Sequence, residues 1–239
     1  MSEKKEILEH IEEFRRYILK GIIVLIVFSI IGFLLGDRIL NHVVGYLIDI
    51  SDVKLIATHP LDIFYMKINV GIFVGTLVSL PVFLYEGYRF VKPGLTDRER
   101  RFIKFGVLFG FGLFVIGVLF GYLILLKVIV WFFSSMAEPA GIENLWNINY
   151  FVSFVVFTCL LMGFVFQLPV IITVLLSLDV IDIDFLKENR GYVIIGMFTL
   201  AAVITPPDPV TQILVALPLI VLYEASIWVN KLLNLRKSN

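Results

Sequence analysis

An all-α, polytopic integral membrane protein is the fold class this sequence predicts. Three observations carry that expectation. Of the 239 residues 59% are hydrophobic, 22 of them Phe; mean hydropathy is +0.94; and apolar runs long enough to cross a bilayer, which takes about 20 helical residues, follow one another along the chain. The formal charge balances to +0, so net charge suggests no nucleic-acid or acidic partner and only its distribution is informative.

The first element is the segment KEILEHIEEFRRYIL, where Ile7, Ile11, Phe14 and Ile18 recur at helical spacing. It predicts an interfacial helix running into the first span. A removable signal peptide is not expected, because Glu3, Glu6, Glu9, Glu12 and Glu13 mingle with the cations and no small-residue cleavage site follows the apolar run. Spans are placed near 19–36, 63–90, 104–133 and 150–177. Two shorter stretches follow, YVIIGMFTLAAVI at 192–204 and QILVALPLIVLYEASIWV at 212–229. They read either as one re-entrant hairpin or as two short crossings of a locally thinned bilayer.

Charge demands an even count of crossings, which two short crossings meet and a re-entrant hairpin meets too; the two crossings are the favoured reading. All but four of the 20 Lys and Arg fall before the first span, around residues 89–104, in the 178–191 loop or after the last span; the exceptions are Arg38, Lys54, Lys67 and Lys127. The positive-inside rule then makes both termini cytoplasmic. In the 37–62 connection, ILNHVVGYLI suits an amphipathic helix on the outer surface. The 134–149 loop has no cation. Nothing divides the chain, so 1–239 reads as a single membrane domain.

No catalytic or metal constellation emerges. Gly-x-Ser-x-Gly, His-Glu-x-x-His and a phosphate-cradling glycine loop are absent; Cys159 is the only cysteine, and His10, His42 and His59 are scattered. Neither an enzyme nor a cofactor is expected. What remains is a set of polar groups at the membrane edge. Glu12 with Arg16 and Glu86 with Arg89 sit at spacings that let them satisfy each other. Glu99 lies in FVKPGLTDRERR, residues 90–101, among Lys92, Arg98, Arg100 and Arg101. It serves either to offset repulsion among those cations or to accept a guanidinium in a bidentate fork. Gln167 in GFVFQLPV either satisfies the carbonyl freed by Pro169 or marks a polar face toward a partner helix. Glu224 either snorkels to the interface or carries a role, Asp208 suits a cap for the last helix, and Pro81 and Pro218 are read as kinks.

Several segments in order resemble the TatC family, the multispanning receptor subunit of the twin-arginine protein translocase. HIEEFRRYIL at 10–19 is similar to the family's H-x-x-E-L-R-x-R-L helix. FVKPGLTDRERR resembles its first cytoplasmic loop, FQLPV its F-E-x-P, ITPPDPVTQ its T-P-P-D hairpin and LVALPLIVLYE its sixth span. The resemblance covers the entire chain. It implies a cupped six-helix bundle with short fifth and sixth spans in the prokaryotic inner membrane. It also implies twin-arginine signal peptides of folded cargo as ligands, single-span TatA-type and TatB-type partners in a multimeric complex, and the proton-motive force as energy source. By position it implies that Glu13, Arg15, Phe90, Pro93, Leu95 and Glu99 bind the signal peptide. Gln167, Pro206, Asp208 and Glu224 fall to partner binding or translocation. Gln167 stands where the family usually has glutamate, which removes any role needing a titratable carboxylate; Lys92 and Gly94 stand where alanines are common.

A different class also fits parts of the chain: the permease subunit of a solute importer, with the 91–103 loop docked on a soluble ATPase. Against it, the spans show no midplane substrate site. A proton or ion channel would want charges lining a pore, and only Gln167 is deep.

Overall fold

The structure, a computed structural model, describes residues 2–40, 44–45, 53–91, 97–137, 143–177, 180–204 and 209–237, with side chains at 12–40, 44–45, 53–90, 106–136, 143–176, 180–202 and 209–231. Helix α1 (Ser2–Leu34) runs unbroken from the amphipathic segment into the first apolar run. After strand β1 (Lys54–Ile56) comes α2 (Asp62–Val91), which continues through Pro81. The third run is α3 (Asp97–Phe120), one π turn (Gly121–Leu125) and α4 (Leu126–Ala137). Strand β2 (Leu145–Asn147) leads into α5 (Ile148–Val165) and α6 (Leu168–Ser177). The short α7 (Ile183–Glu188) precedes α8 (Arg190–Ile204) and α9 (Pro209–Lys237).

Among the described residues, five segments are long and apolar enough to cross a membrane: Glu12–Leu34, Asp62–Phe90, Gly106–Met136, Ile148–Leu176 and Pro209–Lys231. Arg190–Ala202 is shorter. The expected short fifth helix is therefore present, but the sixth is not short. Its 29-residue helix extends past both ends of the apolar stretch 212–229. Pro218 does not end it, because a single missing N–H inside a long apolar helix is tolerated where neighbouring helices support the backbone.

One departure from regular geometry has a visible cause. The fourth run breaks at Phe166 and Gln167, three residues before Pro169 at the earliest, since proline has no N–H to give and its ring crowds the preceding turn. There the Gln167 amide nitrogen bonds back only to Phe164 O, at 2.9 Å, and Gln167 O accepts from both Val170 and Ile171 at 3.0 Å. The amphipathic helix expected in 37–62 lies partly outside the described residues, which show helical backbone at 36–40 and 44–45.

The strands were not foreseen. β1 and β2 pair in parallel, Lys54 with Leu145 through Ile56 with Asn147. Beside them Asp62, 5% exposed, accepts from the backbone of Thr58 and His59 at 2.8 Å and from Asn147 Nδ2 at 2.8 Å. Asn147 also donates to the Thr58 hydroxyl and caps α5, its Oδ1 accepting from Asn149 N at 2.9 Å. One carboxylate thus ties the start of α2 to the start of α5, and we call this the strand end of the molecule.

Helix packing follows membrane rules. Lipid tails are as apolar as leucine, so helices associate where small residues let backbones close in. The α1–α2 seam does so at Gly71 and Gly75: a Cβ on Gly71 would lie 2.5 Å from Ser29 O, and one on Gly75 2.6 Å from Leu25 O. The opposite face of α1, including Ile23, Ile26, Ile30 and Leu34, is exposed. Helix α5 is central. Val152, Val155 and Cys159 pack with Met66 and Val70 of α2 and with Phe114 and Leu126. Met162 and Phe166, with Leu125 and Ile129, pack against Met197 and Ala201 of α8 and Val215, Leu219 and Tyr223 of α9.

The glycine seam gives a test. Gly75→Val should destabilise the protein by about 1–3 kcal/mol through overpacking against a helix backbone that cannot yield. Thermal unfolding in detergent, against Gly112→Ala as a control where nothing lies within 4 Å, measures it.

Candidate functional site

The end opposite the strands gathers the polar side chains that the sequence singles out. Here α1 and α2 run antiparallel, and their packing sets Phe14 against Phe90, ring centroids 5.1 Å apart. One turn along, the Tyr17 ring lies 5.6 Å from Lys20 Nζ and 5.4 Å from the Arg89 guanidinium carbon. Both cations converge on Glu86, Lys20 at 3.0 Å and Arg89 at 3.4 Å. The expected Glu86–Arg89 pairing is present. Lys20 was not anticipated, because nothing in a sequence says which residue of α1 will face residue 86.

Burial explains why Glu86 needs two partners. Its side chain is 9% exposed, so an unpaired carboxylate would be costly there, while the cations, 44% and 43% exposed, keep part of their hydration. Glu86 is thus committed to holding α1 on α2. The chemistry open to a ligand lies just beside it. Glu13 and Arg15 flank Phe14 and are exposed, although Glu13 is not without a partner. Glu12 and Arg16 are exposed as well.

The structure thus sets Phe90 against Phe14, the chain neighbour of Glu13 and Arg15. Pro93 and Leu95 lie outside the described residues. Glu99 is the third residue of α3, where the partial positive charge of a helix start favours a carboxylate; its side chain lies outside the described residues. An exposed Phe14 against a half-buried Phe90, with an acid and a base on either side of Phe14 in the chain, suits an extended basic peptide.

The second group is dispersed. Gln167 is 5% exposed, and its Nε2 donates to Gly110 O of α3 at 2.9 Å. Its Oε1 is buried without a partner among the described residues. The amide thus bridges two helices of the same chain, rather than serving the carbonyl freed by Pro169. Gly110 makes room: a Cβ there would stand 3.3 Å from Gln167 Oε1. Glu224 pairs with Arg190 at 3.2 Å, joining α9 to the start of α8. Tyr223 Oη donates to Leu186 O at 2.7 Å, and Asn230 Nδ2 to Thr173 Oγ1 at 3.0 Å. These bonds lock α7 and α6 onto α9. Pro206 and Asp208 lie outside the described residues, between α8 and α9. No group of three or more His, Cys, Asp or Glu able to hold a metal occurs among the described residues.

Comparison with known proteins points one way. A family model described as TatC, Sec-independent protein translocase protein (TatC), matches residues 9–218. A Sec-independent protein translocase protein TatC of Desulforapulum autotrophicum is 34% identical over 228 residues, covering 95% of this chain and 84% of its own. One from Carboxydothermus hydrogenoformans is 32% identical, covering 93% and 91%. Among solved structures, the crystal structure of a twin arginine translocase receptor, TatC, superposes with TM-score 0.83 at 30% identity, covering 93% of this chain and 98% of that one.

Glu86→Gln should weaken the α1–α2 joint. With the carboxylate buried and both cations partly hydrated, the loss should be about 1–2 kcal/mol, between an exposed and a fully buried ion pair. Unfolding of wild type and variant, in low and in 1 M salt, checks it; the wild type should lose only part of the difference in salt, since the carboxylate is shielded from counterions.

Proposed function

Because the chain belongs to the TatC family and is a multi-pass membrane protein, we propose that it is the receptor and core of a twin-arginine translocation system. It binds the twin-arginine signal peptides of folded cargo and, with single-span TatA-type and TatB-type partners, mediates export driven by the proton-motive force. The relatives support this reading and not the importer permease.

The observation that carries the site is the meeting of Phe90 with Phe14 between Glu13 and Arg15, one short loop before the helix that holds Glu99. Two carboxylates, Glu13 and Glu99, would take the paired guanidinium groups, and the aromatic pair the apolar part of the peptide. Pro93 and Leu95 join them as signal-peptide-binding positions. This face is cytoplasmic in our reading, since the cations concentrate around it, and both termini share that side of a prokaryotic inner membrane. Helix α8, antiparallel to α9 and tied to it by the Arg190–Glu224 pair, counts as the short fifth crossing of a cupped six-helix bundle, one domain over 1–239. Pro206 and Asp208 keep their proposed role in partner binding or translocation. Gln167 keeps a hydrogen-bonding role that needs no proton, since an amide both donates and accepts.

A fluorescent twin-arginine signal peptide titrated against the purified protein in nanodiscs tests this. Binding should fall at least tenfold, the equivalent of about 1.4 kcal/mol, when both arginines become lysines, because lysine lacks the planar fork. Glu99→Gln and Glu13→Gln should each weaken it similarly. Equal affinity for both peptides, with both variants unaffected, would sink the site.

A further inference from the structure

A receptor for paired arginines meets an electrostatic obstacle in its own chain. Residues 89–104 carry six Lys and Arg, and Arg15, Arg16 and Lys20 add three on the facing helix. The charge that orients the chain in the membrane also repels a cationic ligand. Two of these cations are built into the joint beside the Phe14–Phe90 contact, and both end on one carboxylate. Glu86 Oε1 accepts from Lys20 Nζ at 3.0 Å and Oε2 from Arg89 Nη1 at 3.4 Å, so each oxygen serves a different cation. The Tyr17 ring takes up the same two cations at 5.6 and 5.4 Å.

The spacing makes this joint part of the ligand's surroundings. Glu86 lies four residues from Phe90 on α2, about 6 Å at the helical rise, and the Debye length at physiological salt is about 8 Å. At a membrane edge the lower dielectric strengthens every such interaction. Holding α1 on α2 does not by itself call for a buried acid. Gly71 and Gly75 already bring the two backbones together deeper in the seam, and apolar residues in place of a buried ion pair are often neutral or stabilising. What an apolar joint could not do is neutralise Lys20 and Arg89.

We propose that Glu86 is a positioning residue for the signal peptide: by drawing Lys20 and Arg89 onto itself and Tyr17, it withdraws their charge from the Phe14–Phe90 contact and leaves that place open to the paired guanidinium groups. Glu86 acts through these two cations and does not touch the peptide. The inference rests on the receptor reading and adds to it a determinant of ligand charge. Removing the acid releases two cations beside the ligand, whereas removing one cation leaves the acid to the other.

The test is the nanodisc titration with one signal peptide made in Arg-Arg, Lys-Lys and Gln-Gln forms. Glu86→Gln should weaken the Arg-Arg peptide at least fivefold, keep the Gln-Gln peptide within twofold of wild type, and lose much of that difference in 1 M salt. Lys20→Met, at a half-exposed position that tolerates the change, should act in the opposite direction and tighten the Arg-Arg peptide at least twofold. The triple variant Lys20→Met, Glu86→Gln, Arg89→Gln should return Arg-Arg affinity to within twofold of wild type. A joint with only a structural role predicts otherwise, because each of these variants removes bonds across it. Equal weakening of the Arg-Arg and Gln-Gln peptides, an Arg-Arg affinity unmoved by Glu86→Gln, weaker binding in Lys20→Met, or a triple variant no better than Glu86→Gln overturns the proposal while wild type still prefers Arg-Arg over Lys-Lys. Wild type without that preference overturns the receptor reading, and this inference with it.

Discussion

Hydrocarbon offers a polar group nothing to bond to, and most of this structure answers that one constraint. Backbone amides are consumed within helices, and where a helix is interrupted, the freed groups find partners locally. At the Phe166–Gln167 break, the Gln167 carbonyl takes two amide donors and its side chain crosses to Gly110. Ion-paired side chains otherwise collect mainly toward the two ends of the bundle. Asp62 and Asn147 knot one end, while Glu86, Lys20, Arg89 and Tyr17 clamp the other.

The two ends hold the same helices for different purposes. At the strand end, Asp62 receives four donors counting the Thr58 hydroxyl and is closed to ligands. At the opposite end, Glu86 is equally committed, and that commitment leaves Glu13, Arg15 and the Phe14–Phe90 pair displayed on a fixed frame. In the proposed receptor edge, a rigid base and exposed charges would leave the ordering costs of binding mainly to the peptide. The α8–α9 hairpin is held by a similar logic, with Arg190–Glu224 at its mouth and the Tyr223 and Asn230 bonds at its flanks.

Periodicity and run length made the long helices legible, because a bilayer filters sequence by length and polarity alone. The break before Pro169 was legible in principle from the proline. The strand pair was not: KLI and LWN are three-residue segments far apart, and nothing local marks their pairing. The last helix exceeds the expected 212–229 because it runs through both Pro218 and Glu224, the carboxylate being paired with Arg190 from another helix. Nor did the local sequence show that Gln167 would donate to Gly110 on another helix rather than to the carbonyl freed by its own proline.

By itself the sequence determined the membrane class, the order of the apolar helices, the side on which cations accumulate and the segments that mark the family, since each depends on local composition or on motifs along one strand of chain. Only the tertiary structure decided which polar groups meet: Lys20 with Glu86, Phe14 with Phe90, Arg190 with Glu224, and Gln167 with Gly110. The physical reason is that pairing inside a bilayer is set by the rotational phase and close approach of whole helices, fixed by glycine seams and a π turn, and no single segment encodes the phase of its neighbour.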